Sequence, residues 1–598
     1  MNRSANNNKL FRRILLGIRF CPHPSRKIGT GFPEIIGMFQ KGSCSKTLME
    51  TSSIQYQVSS IQYLVSSILI SIIVLSCTSH KHSEKQIFHY NESSGLATLD
   101  PAFAKNKQVM WSVHQLYNTL IEIDSNMLMS PSLAKRWDIS PGNLVFTFHL
   151  RDDVYFTDDD CFPGGKGRKL TAPDVEYSFK RIIDKNTASP GAWIFNNRVD
   201  SVDGFRAVDD STFQLKLLRP FQSILGILSM QYCSIIPREA VEKYGNDFRR
   251  HPVGSGPFSF VAWEEGQALI LKKNERYFEK DNEGRRYPYL DGIRVSFYDS
   301  KATEFLQFQQ ERLDFIDDID PSFKDEVLTK TGNLKKQWEG KIELHKHPYL
   351  NIEYLGILTD SENELVKNSP LRLQKIRQAI NYGFDRRKMM LYLRNSIGIA
   401  AESGFVPAGL PSFDSIAVKG YHYDPAKAAQ LLAEAGFPNG NNLPVIKLLT
   451  IPIYGDLGTY IANELRQIGI NIQVEVEQKS LLMEQTAHSQ ALFFRGSWIA
   501  DYPDAENYLG VFYGKNPAPP NYTRYKNPAY DLLYEKALSE KNDSLRYKLY
   551  QQMDQLVMND APMVPLWYDM AIHLVHTNIH DFQPNSLNLL ELRRTKKK

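Results

Sequence analysis

Cysteine is scarce in this chain, five in 598 residues, and Cys21 and Cys44 fall within the first fifty. A disulfide-stapled scaffold is excluded, because such folds concentrate cysteine in short chains. Also missing are a C-x-x-C pair, an H-E-x-x-H helix, a G-x-S-x-G elbow and a P-loop. Their absence removes the common zinc protease, α/β-hydrolase and nucleotide-hydrolase readings. The glycines at 164, 165 and 167 surround Lys166 but lack the Lys-Ser/Thr ending of a phosphate loop, so they read as a flexible turn. His80 and His82, His345 and His347, and His573 and His576 are isolated pairs that fit surface or strand positions better than a metal site. The Asp run at 158–160 lacks EF-hand spacing. No metal and no cofactor are expected.

Strong charge of one sign is lacking too. The formal net charge is +4, but residues 1–50 carry nine Lys or Arg against Glu34 and Glu50, and residues 51–76 carry no charge. The body from Cys77 onward is therefore mildly acidic, near −3, even with the basic tail at 593–598. A nucleic-acid binder would show a basic face in its folded body. What the chain does have is 42% apolar and 12% aromatic content, enough for a large globular core.

One long apolar run stands out at 61–76, too short for a comfortable membrane span and suited to a signal-peptide core. It ends in Val74, Leu75, Ser76 and Cys77, followed at once by polar residues. This resembles the bacterial lipobox, which implies acylation of Cys77 and a mature chain that starts there. A short anchor helix ending in an ordinary cysteine is the alternative. Residues 1–76 are read as leader and signal peptide. Of the body cysteines only Cys161 and Cys233 remain; export permits a disulfide between them, and two buried free thiols fit as well.

Strand and helix patterns alternate through the body. Leu144, Phe146, Phe148 and Leu150 share one face of a strand. Residues 445–451, 458–467 and 472–476 read as strand, helix and strand, a βαβ unit with the helix stopped near Gly469. Thr171 with Asp174 forms a capping box, and Asp424-Pro425 opens a helix that Gly436 closes. The class is α/β.

The blocks SGLATLDP (94–101), QLYNTL (115–120), PSLAKRW (131–137), FTFHLR (146–151), LTAPDV (170–175), HPVGSGPF (251–258), IRQAINY (376–382) and APMVPLW (561–567) occur in order. Together they resemble the large extracytoplasmic solute-binding proteins of family 5, the receptors of oligopeptide, dipeptide and nickel ABC importers. The resemblance implies a two-lobed periplasmic binding protein of type II, large, with an additional inserted subdomain and no enzymatic activity. On the matching blocks, 1–76 is leader, lobe one spans 77–126, 248–346 and 567–598, the insert spans 127–247, and lobe two spans 347–566. The implied partners are a peptide ligand, an ABC permease with its ATPase, and a membrane reached through the lipid anchor only. The implied protein is a monomer, held in the periplasm on the cell membrane or outer membrane, with no nucleic acid.

The segment RGSWIADYPDAENYL, 495–509, follows an apolar strand. It resembles the family's segment in which an aromatic is followed three residues later by an acid for the peptide α-amino group. Trp498 and Asp501 match that spacing, Arg495 matches a base for the ligand carboxylate, and Ser497 and Ile499 lie between them. Asp504 and Glu506 read as cap or surface residues. Two rival readings remain: the same fold with a nickel chelate or oligosaccharide as cargo, or an exported hydrolase using Asp501, Asp504 and Glu506 as acid and base.

Overall fold

The computed structural model describes residues 85–598. The leader, the apolar run, Cys77, and His80 with His82 lie outside the described residues. Among the described residues no helix is long and apolar enough to cross a membrane.

The strands at 87–296 build two four-stranded sheets and a small pair, Ile121–Ile123 with Met129–Pro131. One orders Ile87–Asn91, Gly292–Ser296, Ala268–Lys273 and Phe258–Glu264, and the other orders Ala134–Ile139, Val145–Leu150, Thr212–Lys216 and Phe205–Asp209. Period-two patterning accounts for the second: Phe146, Phe148 and Leu150 are buried while the residues between them are only partly so. Both sheets feed one apolar core that also takes in Trp111 and Leu116 of the helix Lys107–Leu116. The glycine turn of HPVGSGPF seals against that helix end, where a Cβ on Gly254 would meet the Leu116 carbonyl oxygen at 2.1 Å and one on Gly256 would meet Leu116 C at 2.4 Å. Only glycine allows this approach.

A seven-stranded sheet dominates the rest, ordered Phe315–Asp317, Met563–His576, Ile342–Ile357, Phe493–Ile499, Ile446–Thr450 and Ile472–Val476, with Ile399–Ala400 on Met563–His576. The expected βαβ unit is present: Ile446–Thr450 and Ile472–Val476 pair in parallel around the helix Gly455–Arg466, which starts three residues earlier than its sequence pattern suggests. Gly469 takes φ +91° just beyond it, a conformation glycine adopts without strain.

Ile342–Ile357 and Met563–His576 run between two bodies. At one end Ile342, Ile572 and Leu574 belong to a core with Phe305, Phe308 and Leu313. At the other, Leu355, Ile357, Val564, Leu566 and Trp567 belong to a core with the helices Gln374–Tyr382 and Gly455–Arg466. Their pairing breaks register between Pro348 and Ile352 and again between Glu353 and Tyr354, where the strands leave one core for the other. Each lobe thus buries its own apolar side chains, and two strands join them.

Cys161 and Cys233 are both free, the second of the two alternatives that the sequence leaves open. Cys233 is sealed in the core within the turn Gln231–Cys233, while Cys161 sits half-buried in a surface turn held by the Asp159 carboxylate, which accepts its N–H at 2.8 Å. Burial pushes both thiols up in pKa, Cys161 to about 12 with help from Asp159.

Candidate functional site

The strand Phe493–Ile499 runs antiparallel to Ile342–Ile357 and parallel to Ile446–Thr450. Alternation sets Arg495, Ser497 and Ile499 on one face and Phe494 and Trp498 on the other. On the first face Arg495 pairs with Glu353 across the strand, and its guanidinium lies 4.2 Å from the Tyr454 ring centroid. Glu353 also accepts from the Tyr454 hydroxyl at 3.2 Å and from Asn351 Nδ2 at 3.3 Å. The two side chains are 13% and 5% exposed, so this is a buried, mutually neutralised pair.

The strand ends where the Ala500 N–H donates to the Leu350 carbonyl at 2.9 Å, and Asp501 follows. One carboxamide then organises the loop. Asn507 Oδ1 accepts from Trp498 Nε1 at 3.0 Å and from the Asp501 N–H at 3.2 Å, while its Nδ2 donates to Asp501 Oδ2 at 3.2 Å. Trp498 is held behind the loop against an apolar core that includes Leu350, Phe405 and Tyr508, and the Asp501 carboxylate is aimed by an amide rather than by a cation. Sequence reading missed Asn507, since an asparagine near the start of the short helix Glu506–Leu509 carries the ordinary signature of a turn.

Asp501 and Ile499 open onto a cavity of about 590 Å³, within the range usual for small-molecule sites. Residues from 104–132, 193, 229–234, 257 and 277 form one wall, 349–350 and 499–503 the facing wall, and 583–594 the floor. Asp501 is open to this space yet surrounded by protein, so burial raises its pKa above the ordinary aspartate value, with Asn507 and then the charge of Arg198 opposing the rise. Tyr232 faces it from the opposite wall, its hydroxyl pushed up to about 12 by burial and then by the Asp501 charge. Trp498, Ser497 and Arg495 are not among the lining residues.

Glu506 corrects the sequence reading. It is no surface residue: its carboxylate is buried between the hydroxyls of Tyr502 and Tyr534, and burial raises its pKa. Asp504 accepts the Glu506 N–H at 2.9 Å from just ahead of the short helix, whose N-cap is Ala505, with Arg546 3.8 Å away. Neither side chain lines the cavity, so the loop presents it with a single carboxylate, and Asp501, Asp504 and Glu506 do not meet there as acid and base. Among the described residues no group of three metal-ligating side chains is placed to hold an ion.

The family model for bacterial extracellular solute-binding proteins, family 5 Middle, matches residues 129–520. Heme-binding protein A of Haemophilus influenzae is 28% identical over 515 residues, spanning 83% of this chain and 89% of that protein. The periplasmic oligopeptide-binding protein OppA of Salmonella typhimurium is 24% identical over 514 residues, 82% and 89% of the two chains. Among solved structures, HbpA2 from Haemophilus parasuis superposes with a TM-score of 0.75 at 22% identity, covering 86% of this chain and 99% of that one.

Proposed function

The chain belongs to the bacterial extracellular solute-binding proteins of family 5, and from that premise we propose that it captures short peptides between its lobes and delivers them to an ABC permease. The observation that carries this reading is Asp501: a carboxylate at the end of a lobe-two strand, fixed by Asn507, facing an enclosed interlobe cavity with no cation bonded to it. An ammonium entering that space loses water, and a carboxylate restores its charge-assisted hydrogen bonds. A ligand held from both walls favours the closed arrangement by its differential contacts, which gives a permease a loaded form to recognise. OppA, by its name, binds oligopeptides. A heme reading, suggested by the name of the Haemophilus relative, finds less support: His114, the histidine of the lining, is engaged by Glu591 at 3.1 Å.

The lobe limits given above follow from this reading: the cuts at 346/347 and 566/567 fall within the two strands that pass between cores. Export and a lipid anchor on Cys77 complete it. A mature chain beginning at Cys77 in detergent-extracted membranes is the expected form, and an intact Met1 on the mature protein would contradict it.

Titration calorimetry with trialanine tests the site. Asp501→Asn is expected to cost about 1.5–3 kcal/mol of affinity, the range for a hydrogen bond to a charged group. N-acetyl-trialanine should be weakened similarly in the wild type and little further in the variant. Equal binding of acetylated and free-amine peptide by the wild type would remove Asp501 as the amine acceptor.

A further inference from the structure

The sequence resemblance gives the ligand carboxylate to Arg495, but that guanidinium is taken by Glu353 and lies outside the cavity lining. Something else must answer the second charge of a zwitterionic peptide. The charged groups that do line the cavity can be followed one by one to their partners.

On the lobe-one wall and floor, Lys107 is paired with Asp317. Arg593 is engaged by Glu122 at 3.0 Å, Glu279 at 2.7 Å and Glu591 at 3.0 Å, and Glu591 also meets His114 at 3.1 Å. Asp124 accepts the N–H groups of Asn126 and Leu128 at 2.8 and 2.9 Å and closes its own turn. Arg594 lies over the Tyr287 ring at 5.6 Å and belongs equally to an outer groove beside Asp281 and Glu283. That leaves three charges in the lining with no opposite charge bonded to them or ring beneath them, Asp501 on lobe two and Asp124 and Lys105 on lobe one, and of these Lys105 is the cation. Lys105 is exposed, and its backbone N–H is held by the Phe103 carbonyl at 2.8 Å, which sets the root of the side chain at the cavity wall.

We infer that Lys105 is the specificity residue for the carboxylate of the cargo, so that a peptide lies across the cleft with its amine on Asp501 of one lobe and its carboxylate on Lys105 of the other. This rests on the peptide reading above and gives it a direction. A mobile ammonium on a four-carbon stem suits a point charge whose position varies with peptide length, where an arginine fork would demand one geometry. It also couples closure to both ends of the ligand: a molecule carrying only one of the two charges satisfies only one lobe. The preferred class is then short peptides with both termini free.

Calorimetry on the purified protein with trialanine and trialanine amide decides it. The wild type is expected to bind the amide about tenfold or more weakly, the factor that the loss of a hydrogen bond between charged groups carries. Lys105→Met should weaken the free acid by a similar factor and abolish the preference for acid over amide, while Lys105→Arg restores most of it. Unchanged far-ultraviolet dichroism and unchanged response to N-acetylation in Lys105→Met would show that fold and Asp501 site persist. Equal binding of acid and amide by the wild type overturns the proposal while leaving the amine site standing. So does a preference that survives in Lys105→Met but vanishes in Arg594→Met, which would move the role to Arg594. No binding of trialanine in any form overturns the peptide reading itself and this inference with it.

Discussion

Arg495 and Asp501 stand six positions apart on one strand and the loop that leaves it, and the fold uses their charges in opposite ways. Arg495 is spent inside lobe two on Glu353, with Tyr454 stacked over it. Asp501 meets only the amide of Asn507 and faces open space. In a buried pair each charge answers the other's desolvation, so neither is available to a ligand. A charge restrained by neutral groups keeps its unmet interaction for whatever enters. The same motif thus contains one charge committed to an ion pair and one held only by a neutral amide, and the difference lies in their partners.

Removing one side of the structural pair should have the largest effect. Arg495→Met leaves Glu353 buried without its cation and is expected to cost about 3–5 kcal/mol of folding stability, measured by urea unfolding. Asp501→Asn keeps a side-chain oxygen for Asn507 Nδ2 and should change stability by less than about 1 kcal/mol. If Arg495→Met unfolds no more easily than Asp501→Asn, the contrast fails.

Asn507→Ala comes next. It strips the acceptor from the Trp498 indole and the Asp501 N–H together, with an expected stability cost of about 1–3 kcal/mol for buried groups left unpaired. It should also weaken trialanine binding, because Asp501 is no longer aimed, and shift Trp498 fluorescence. A variant with native stability and native affinity would show that the clamp is idle.

Acidity separates the two residues further. Burial raises the Asp501 pKa, so affinity for an amine should fall on acidification at a pH above the ordinary aspartate value of about 3.9, while Asp501→Asn binds with a flat profile over that range. The linked effect on folding has the opposite sense. A raised pKa in the folded state contributes stability that is full below the unfolded value and is lost as pH rises through the folded one. Ligand affinity and this component of stability should therefore move in opposite directions with pH. The smallest effect is expected from reductant: with both body thiols free, dithiothreitol should leave the unfolding midpoint unchanged, and thiol titration of the denatured, unreduced protein should count both Cys161 and Cys233.

Much of the architecture could be read from the sequence because it is written in local terms. The period-two strand at 145–150, the βαβ unit ending near Gly469 and the helix opened by Asp424-Pro425 each carry their own spacing and caps. Asp501 was legible as part of an ordered motif. The partners were not. Glu353 lies 142 positions from Arg495, and only the strand register brings them together. The burial of Glu506 depends on Tyr534, 28 positions away, and the availability of Lys105 depends on where every other charge of the cavity goes. Such commitments are long-range, so a short segment names the residue types at a site without saying which remain free.

The most direct test of peptide capture is mass spectrometry of whatever is released when the protein purified from cells is denatured. Short peptides with unmodified amino and carboxyl termini are the expected result. Heme, an oligosaccharide or a metal chelate recovered at one equivalent in their place would contradict it.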